Sequence, residues 1–405
     1  MGIVIYGYGL ANSPSLINAA VYMANAGLAV DIFTCGTFLD GISFDRGDIR
    51  LVDIPKPRAE AQQYIQKAWR CVCKVVRRGF DRLRSRDELI EREVAALTGS
   101  AAFFASILRG KTRGIAYKYF IGVEPVGMMV ACDLADKHGI ASIYYNMELH
   151  LDTDRDVGPA ALKIIERQHN RRTLLTITQD EVRKHLLIEQ NGLAGDSVLL
   201  LPVCADGEPF RIRTAVLQET LGLSPEKKIV LYAGFIADWA MCEELAIAAQ
   251  SWPADWVLVF HGHGYHDAAY LRKVRKHASE KVRFSPGPVP YEQLSELLAS
   301  ADVGVALYRD LGENFTLIGS ASGKLAHYLR SGLPVIVNRY PSISSVVDRY
   351  GCGCAVENPS QVGGAVRRIL SNHEQMRAAA FRCYEDNYMF SKHFGAVFEK
   401  LEGLC

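Results

Sequence analysis

The chain has 405 residues, 49% hydrophobic and 22% charged, with 46 Lys and Arg against 45 Asp and Glu. That composition excludes a disordered or collagen-like chain, and a net charge of +1 excludes a protein built mainly to grip nucleic acid. The length suits two or three globular domains, each large enough to bury its own core.

The chain opens on Ile3-Val4-Ile5-Tyr6, a β-branched run without alternation, which predicts a strand covered on both faces. It lacks the basic start of a secretory signal, and no apolar run reaches the roughly 18 to 20 residues that span a bilayer, so a cytoplasmic protein is expected. Gly7-Tyr8-Gly9 makes a tight turn. Asn12-Ser13-Pro14 supplies a cap and an N1 proline for a helix carrying Leu16, Ala19, Ala20 and Met23; Gly27 stops it before a second strand over 29–33. Position 12 is Asn12 rather than the third glycine of a dinucleotide fingerprint, which leaves Gly7-x-Gly9 as either a plain turn or a loop admitting a ligand phosphate or sugar.

Residues 67–86 carry eight basic side chains and one acid, with Trp69, Val72, Cys73, Val76, Phe80 and Leu83 on one helical face. Such a helix suits an anionic membrane surface or an anionic acceptor, and equally a surface helix packed on the core. Asp152-Thr153-Asp154-Arg155-Asp156 reads as a solvated loop. A polar stretch follows residues 198–203, running through Asp206-Gly207-Glu208-Pro209 to Ser224-Pro225-Glu226, and a domain boundary is expected there. The ten cysteines include no C-x-x-C pair, which predicts reduced structural thiols rather than a zinc or redox site.

A second strand-helix-strand unit starts at residues 229–232, ends its strand at Ala233-Gly234, and passes through a helix over 243–250 into a strand over 256–260. The repeat of this pattern in both halves predicts two doubly wound parallel sheets, with ligands at the carboxyl ends of the strands. Directly after the 256–260 strand comes His261-Gly262-His263-Gly264-Tyr265-His266. The three histidines lack helical spacing and a nearby cysteine, so a glycine turn beneath a nucleotide is the better reading than a metal site. In Ile318-Gly319-Ser320-Ala321-Ser322-Gly323-Lys324, small residues and hydroxyls precede a helix running from near Lys324 to Arg330 and stopping at Gly332. Bare amides at a helix N-terminus with two hydroxyls and a lysine suit a diphosphate. Leu325 after the lysine departs from the Walker pattern.

The order Gly262-x-Gly264, Gly287-Pro288-Val289-Pro290, Ala301-Asp302-Val303-Gly304-Val305, Ser322-Gly323-Lys324 and Gly332-Leu333-Pro334-Val335-Ile336 resembles the donor-binding domain of GT-B glycosyltransferases, most closely the retaining family 4 enzymes. The first half is similar to the acceptor domain more loosely, through its first loop, Tyr144-Tyr145-Asn146-Met147-Glu148 and Ile177-Thr178-Gln179-Asp180-Glu181. The resemblance implies an α/β GT-B fold, with two Rossmann-like domains facing a central cleft: an acceptor-binding domain over 1–205, a donor-binding domain over 206–385, and a C-terminal helix over 386–405 returning to the first domain. It implies metal-free, retaining transfer of a sugar from a nucleoside diphosphate sugar, UDP among the carriers, to a glycan, lipid-linked or small-molecule acceptor, without nucleic acid. Peripheral membrane contact through 67–86 would accompany a lipid-linked acceptor. Lys324 and Glu148 would be catalytic. Gly9, Gly234, Gly262, Gly264, Val289, Ser320, Ser322, Gly323 and His327 would line the donor, while Asn12, Glu148 and His150 would orient the acceptor.

The family's two glutamates, eight positions apart, are replaced by Gly319 and His327, and the loop Gly234-Phe235-Ile236-Ala237-Asp238-Trp239 carries neither of the family's two cations. His327 retains the capacity to hydrogen-bond a ribose hydroxyl. The alternatives on the same fold are a sugar-nucleotide epimerase and a nucleotide-sugar-binding protein that does not turn over.

Overall fold

The computed structural model describes residues 1–6, 10, 13–35, 44, 46–54, 85–262 and 267–403. The chain divides into two compact units, Met1–Leu200 and Leu201–Cys405. The division falls slightly before the polar stretch because Val198–Leu200 is the edge strand of the first sheet, its residues pairing with Thr176, Ile177 and Thr178.

In the first unit seven parallel strands lie in the order β3-β2-β1-β4-β5-β6-β7. They are β1 (Gly2–Tyr6), β2 (Val30–Cys35), β3 (Ile49–Ile54), β4 (Tyr119–Val123), β5 (Ala141–Tyr145), β6 (Leu175–Thr178) and β7 (Val198–Leu200). The connecting helices are α1 (Pro14–Asn25), α2 (Arg86–Lys111), α3 (Glu124–His138), α4 (Val157–Asn170) and α5 (Glu181–Asn191). Strand order reverses between β1 and β4, which makes the loops after those two strands the switch point where ligands bind in such sheets. Ser85 starts α2 with a reciprocal capping box, its hydroxyl accepting from Glu88 N while the Glu88 carboxylate accepts from Ser85 N. The expected basic helix falls, up to residue 84, outside the described residues.

The second unit has six parallel strands in the order β10-β9-β8-β11-β12-β13: β8 (Lys228–Gly234), β9 (Trp256–Gly262), β10 (Val282–Phe284), β11 (Val303–Ala306), β12 (Val335–Asn338) and β13 (Gly353–Val356). Its switch point lies between β8 and β11. Helices α6 (Val216–Leu221), α7 (Cys242–Ala249), α8 (Ala268–Arg275), α9 (Leu294–Ala299), α10 (Glu313–Thr316), α11 (Gly323–Arg330), α12 (Pro341–Tyr350) and α13 (Val362–Ser371) connect or cover the strands. Then α14 (His373–Asn387) and α15 (Phe390–Glu402) complete the unit. The junction of these last two helices grips the start of the unit: Ala205 N donates to Tyr388 O at 3.1 Å, Phe390 N donates to Ala205 O at 3.0 Å, and the Tyr384 hydroxyl bonds Ala205 O at 3.0 Å.

The central strands of the second sheet are apolar on both faces. In β8, Ile229 to Tyr232 have no exposed surface, and the same holds for Val257 to Phe260 in β9. This is why these runs read as continuous hydrophobic stretches rather than alternating ones. The seven described cysteines are buried free thiols, in keeping with a structural role. Among the described residues, no helix is long and apolar enough to cross a membrane.

Candidate functional site

The second unit's site is organised by α11. Tyr328 on this helix is buried beneath the sheet, where its hydroxyl accepts from Ala233 N at 2.7 Å and lies 3.4 Å from Leu231 O and 3.3 Å from Val305 O. One phenol thus ties the helix to β8 and β11, the two strands of the switch point. Its first turn is capped by Ser322, whose hydroxyl accepts from Leu325 N at 3.4 Å and meets the Tyr308 hydroxyl at 2.7 Å. The Gly323 and Lys324 amides are left at a helix N-terminus, the arrangement that favours an anion.

Lys324 runs back from this turn over the end of β8. A Cβ on Gly234 would stand 2.5 Å from Lys324 Cε and 3.1 Å from Nζ, so the lysine stem occupies space that only glycine leaves open. The Lys324 ammonium lies 5.0 Å from the centroid of the Trp239 ring, 5.3 Å from that of Tyr308 and 5.6 Å from that of Tyr232. Trp239 and Tyr308 stack nearly parallel, 6° apart. The ring faces hold the cation by their quadrupoles without cancelling its charge, which is the state suited to meeting a diphosphate. The nearby Arg309 differs: its Nε lies 3.1 Å from Asp238 and its guanidinium also pairs with Glu244, which chiefly raises its pKa above the ordinary arginine value.

Sequence reasoning placed Gly234 and Gly262 in the donor site, and the structure pairs them as neighbours at the ends of β8 and β9. Val289 packs, half-buried, on the core cluster that includes Leu325 and Tyr328. His327 stands edge-on to Tyr291, ring centroids 5.6 Å apart. Ser320 lines a cavity of about 210 Å³ together with Ser342, Arg349 and His393. His261 bonds Ser285 Oγ at 2.7 Å through Nδ1, and burial lowers its pKa. Gly264, His263 and His266 lie outside the described residues, and among the described residues no group of three His, Cys, Asp or Glu side chains could hold a metal.

Gly319 explains one departure from the family pattern. A Cβ there would fall 1.9 Å from Ser342 O and 2.4 Å from the Ser342 carbonyl carbon, both backbone atoms of α12. No side chain fits without moving that helix, so the first family glutamate is excluded by packing.

In the first unit, Glu148 and His150 lie on the loop after β5, whose polar groups are held by buried side chains. Gln179 Nε2 donates to Asn146 O at 2.5 Å, Arg183 Nη1 to Met147 O at 3.3 Å, and Asn146 Nδ2 to Glu148 O at 2.7 Å. Glu124 Oε1 accepts from Met147 N at 2.8 Å and from Glu148 N at 3.0 Å. Beneath the loop, Glu166 accepts from the Tyr144 hydroxyl and Lys163 Nζ, each at 2.8 Å, and from Asn191 Nδ2 at 3.2 Å. Glu148 itself is exposed on this hydrogen-bonded loop. Gly9 and Asn12 lie outside the described residues. The 152–156 segment is an ordered turn, with Asp154 accepting from Leu151 N at 2.8 Å and Arg86 donating to Asp154 O and Arg155 O.

Sequence reasoning missed three groups: Glu124, the ring box around Lys324, and Arg309. A carboxylate directly after a buried strand, in Val123-Glu124-Pro125, was the available signal for the first. The box is assembled from residues far apart in the chain and has no local signature.

Two doubly wound parallel sheets in succession, each with its own switch point, are the architecture of the GT-B fold. Residues 227–372, within the second unit, match the family model described as glycosyl transferases group 1. Sucrose-phosphate synthase from Thermosynechococcus elongatus has a similar structure, with a TM-score of 0.73, 17% identity and 100% coverage of both chains. HepE of Anabaena, solved with UDP-glucose, gives 0.70, 10% identity and 100% coverage of both chains. An α,α-trehalose-phosphate synthase (UDP-forming) from Burkholderia vietnamiensis gives 0.64, 13% identity and 99% coverage of both. At such identities the likeness is one of fold. A comparison with curated protein sequences gives no match.

Proposed function

We propose that the protein transfers a sugar from a nucleoside diphosphate sugar, with UDP the first carrier to test, to an acceptor hydroxyl, with retention of configuration and without a metal. The observation that carries this reading is the Lys324 ammonium, held among three rings at the α11 N-terminus beside Gly234. As the bond from the anomeric carbon to the phosphate oxygen breaks, negative charge grows on the diphosphate. Lys324 and the Gly323 and Lys324 amides stabilise that charge. The new bond joins the anomeric carbon to the acceptor oxygen, and the acceptor proton leaves with the diphosphate. Gly262 and Val289 flank the nucleoside, His327 bonds a ribose hydroxyl, and Glu148 and His150 orient the acceptor.

A thermal-shift screen against UDP, GDP, ADP and their sugars tests donor binding, because a ligand bound only by the folded state raises the melting temperature. One diphosphate series is expected to do so in the wild type and much less in Lys324→Ala. Product analysis should show transfer falling about 10²- to 10³-fold in that variant. An unchanged rate removes Lys324 from the leaving-group role. Tight binding of UDP-sugars with no product formed replaces this reading with a binding protein that does not turn over.

A further inference from the structure

Glu124 is the first residue after β4, at the switch point of the first sheet, and it is 8% exposed. Its φ is +60°, one of only two positive values at non-glycine positions among the described residues, and Pro125 follows it. Glycine or asparagine is the ordinary occupant of that backbone region, and a residue before proline has few alternatives to relieve the strain. A glutamate kept in a strained conformation at a ligand-binding edge implies that its side chain has work there.

That side chain makes three contacts, all with the loop after β5. One oxygen, Oε1, accepts from two successive amides, Met147 N and Glu148 N. The other, Oε2, lies 3.4 Å from His150 Nε2. His150 is itself buried and its Nε2 makes no hydrogen bond, so Glu124 faces it at ion-pair distance, as the counter-charge of a protonated ring.

We infer that Glu124 is a positioning residue for the acceptor side of the reaction: its carboxylate locks the 146–150 loop and the His150 ring together, so that Glu148 and His150 meet an acceptor hydroxyl in one fixed orientation. This rests on the proposed transfer reaction. The two functions of the carboxylate are separable by design. In Glu124→Gln the side-chain oxygen still accepts from Met147 N and Glu148 N, but the negative charge facing His150 is lost. Glu124→Gly relieves the backbone and removes both contacts. Three carboxylates bear on His150, namely Glu124, Glu148 and Glu166; they raise its pKa above the ordinary histidine value although burial opposes this.

The experiment combines NMR titration of the histidine ring signals with steady-state kinetics on the full chain. The His150 resonance is assigned by its absence in His150→Asn. Glu124→Gln should melt close to the wild type at pH 8, keep the wild-type thermal shift with the donor nucleotide, titrate His150 at lower pH, and lose about 10- to 100-fold in kcat with donor KM unchanged. Glu124→Gly should show the same titration change and a larger loss of kcat while staying folded, since its backbone is less strained. A His150 titration unchanged in Glu124→Gln overturns the inference, as does wild-type kcat and acceptor KM in both variants. If the wild type transfers no sugar, the proposed function fails by product analysis, whereas the titration still decides whether Glu124 holds His150.

Discussion

At the scale of single residues, the proposed donor site solves a charge problem with rings. The loop after β8 supplies no cation, and Arg309 is engaged by Asp238 and Glu244, which leaves Lys324 as the cation that faces aromatic groups instead of acids. Trp239 is the nearest of the three rings and also stacks on Tyr308, so its loss opens the box on two sides. Cation–π contacts contribute about 0.5 to 2 kcal/mol each. Trp239→Leu is therefore expected to weaken binding of a nucleoside diphosphate by roughly 2- to 30-fold without unfolding the domain. Isothermal titration with UDP checks this, and unchanged affinity would show that the rings do not hold the lysine for its ligand.

At the scale of elements, the loop after β5 depends on what lies beneath it. Lys163 and Glu166 are one turn apart on α4, buried, and share Asn191 as a partner, since Lys163 Nζ donates to Asn191 Oδ1 at 2.8 Å. Removing one charge from such a pair leaves the other unpaired in the interior. Lys163→Met should cost about 3 to 5 kcal/mol of unfolding free energy, whereas changing both residues to apolar ones of similar volume should cost much less. Denaturant unfolding followed by circular dichroism measures both, and equal losses in the single and double variants would contradict the argument. Because Asn146 Nδ2 lies 3.3 Å from Glu166 and donates to Glu148 O, the single variant should also loosen the loop.

At the scale of the whole molecule, stability should carry the signature of His150. A histidine whose folded pKa stands above its unfolded value stabilises the protein fully at pH values below about 6.5 and loses that contribution as pH rises through the folded value. His169, His261 and His393 are shifted the other way, mainly by burial, so they add stability as pH rises and mask the effect in the wild type alone. The difference between wild type and Glu124→Gln isolates it: the wild-type advantage should be largest at mildly acidic pH and shrink towards pH 8. Melting temperatures from pH 5.5 to 8.5 test this, and a constant difference would remove the Glu124 contact from the account. The alternation of apolar strands with helices made both sheets legible in the sequence, and small residues before Lys324 marked the α11 N-terminus to within a residue. The pairing of Val198–Leu200 with β6 has no local signal, because a three-residue edge strand is too short to show a pattern. Glu124 escaped because a positive φ leaves no trace in residue type when the occupant is not glycine.

The contact between Gly319 and the Ser342 carbonyl also bears on how this chain could be re-engineered, or could have diverged. Restoring the family's carboxylate here is not a one-step change, because the new side chain would collide with the backbone of α12 before it reached any sugar. A substitution at 319 becomes neutral only after Pro341–Tyr350 has shifted, and that helix packs against β12, β13 and α14. The order of mutations is thereby constrained. Main-chain packing therefore closes position 319 to any side chain, whereas His327 and the loop after β8 remain open to single substitutions.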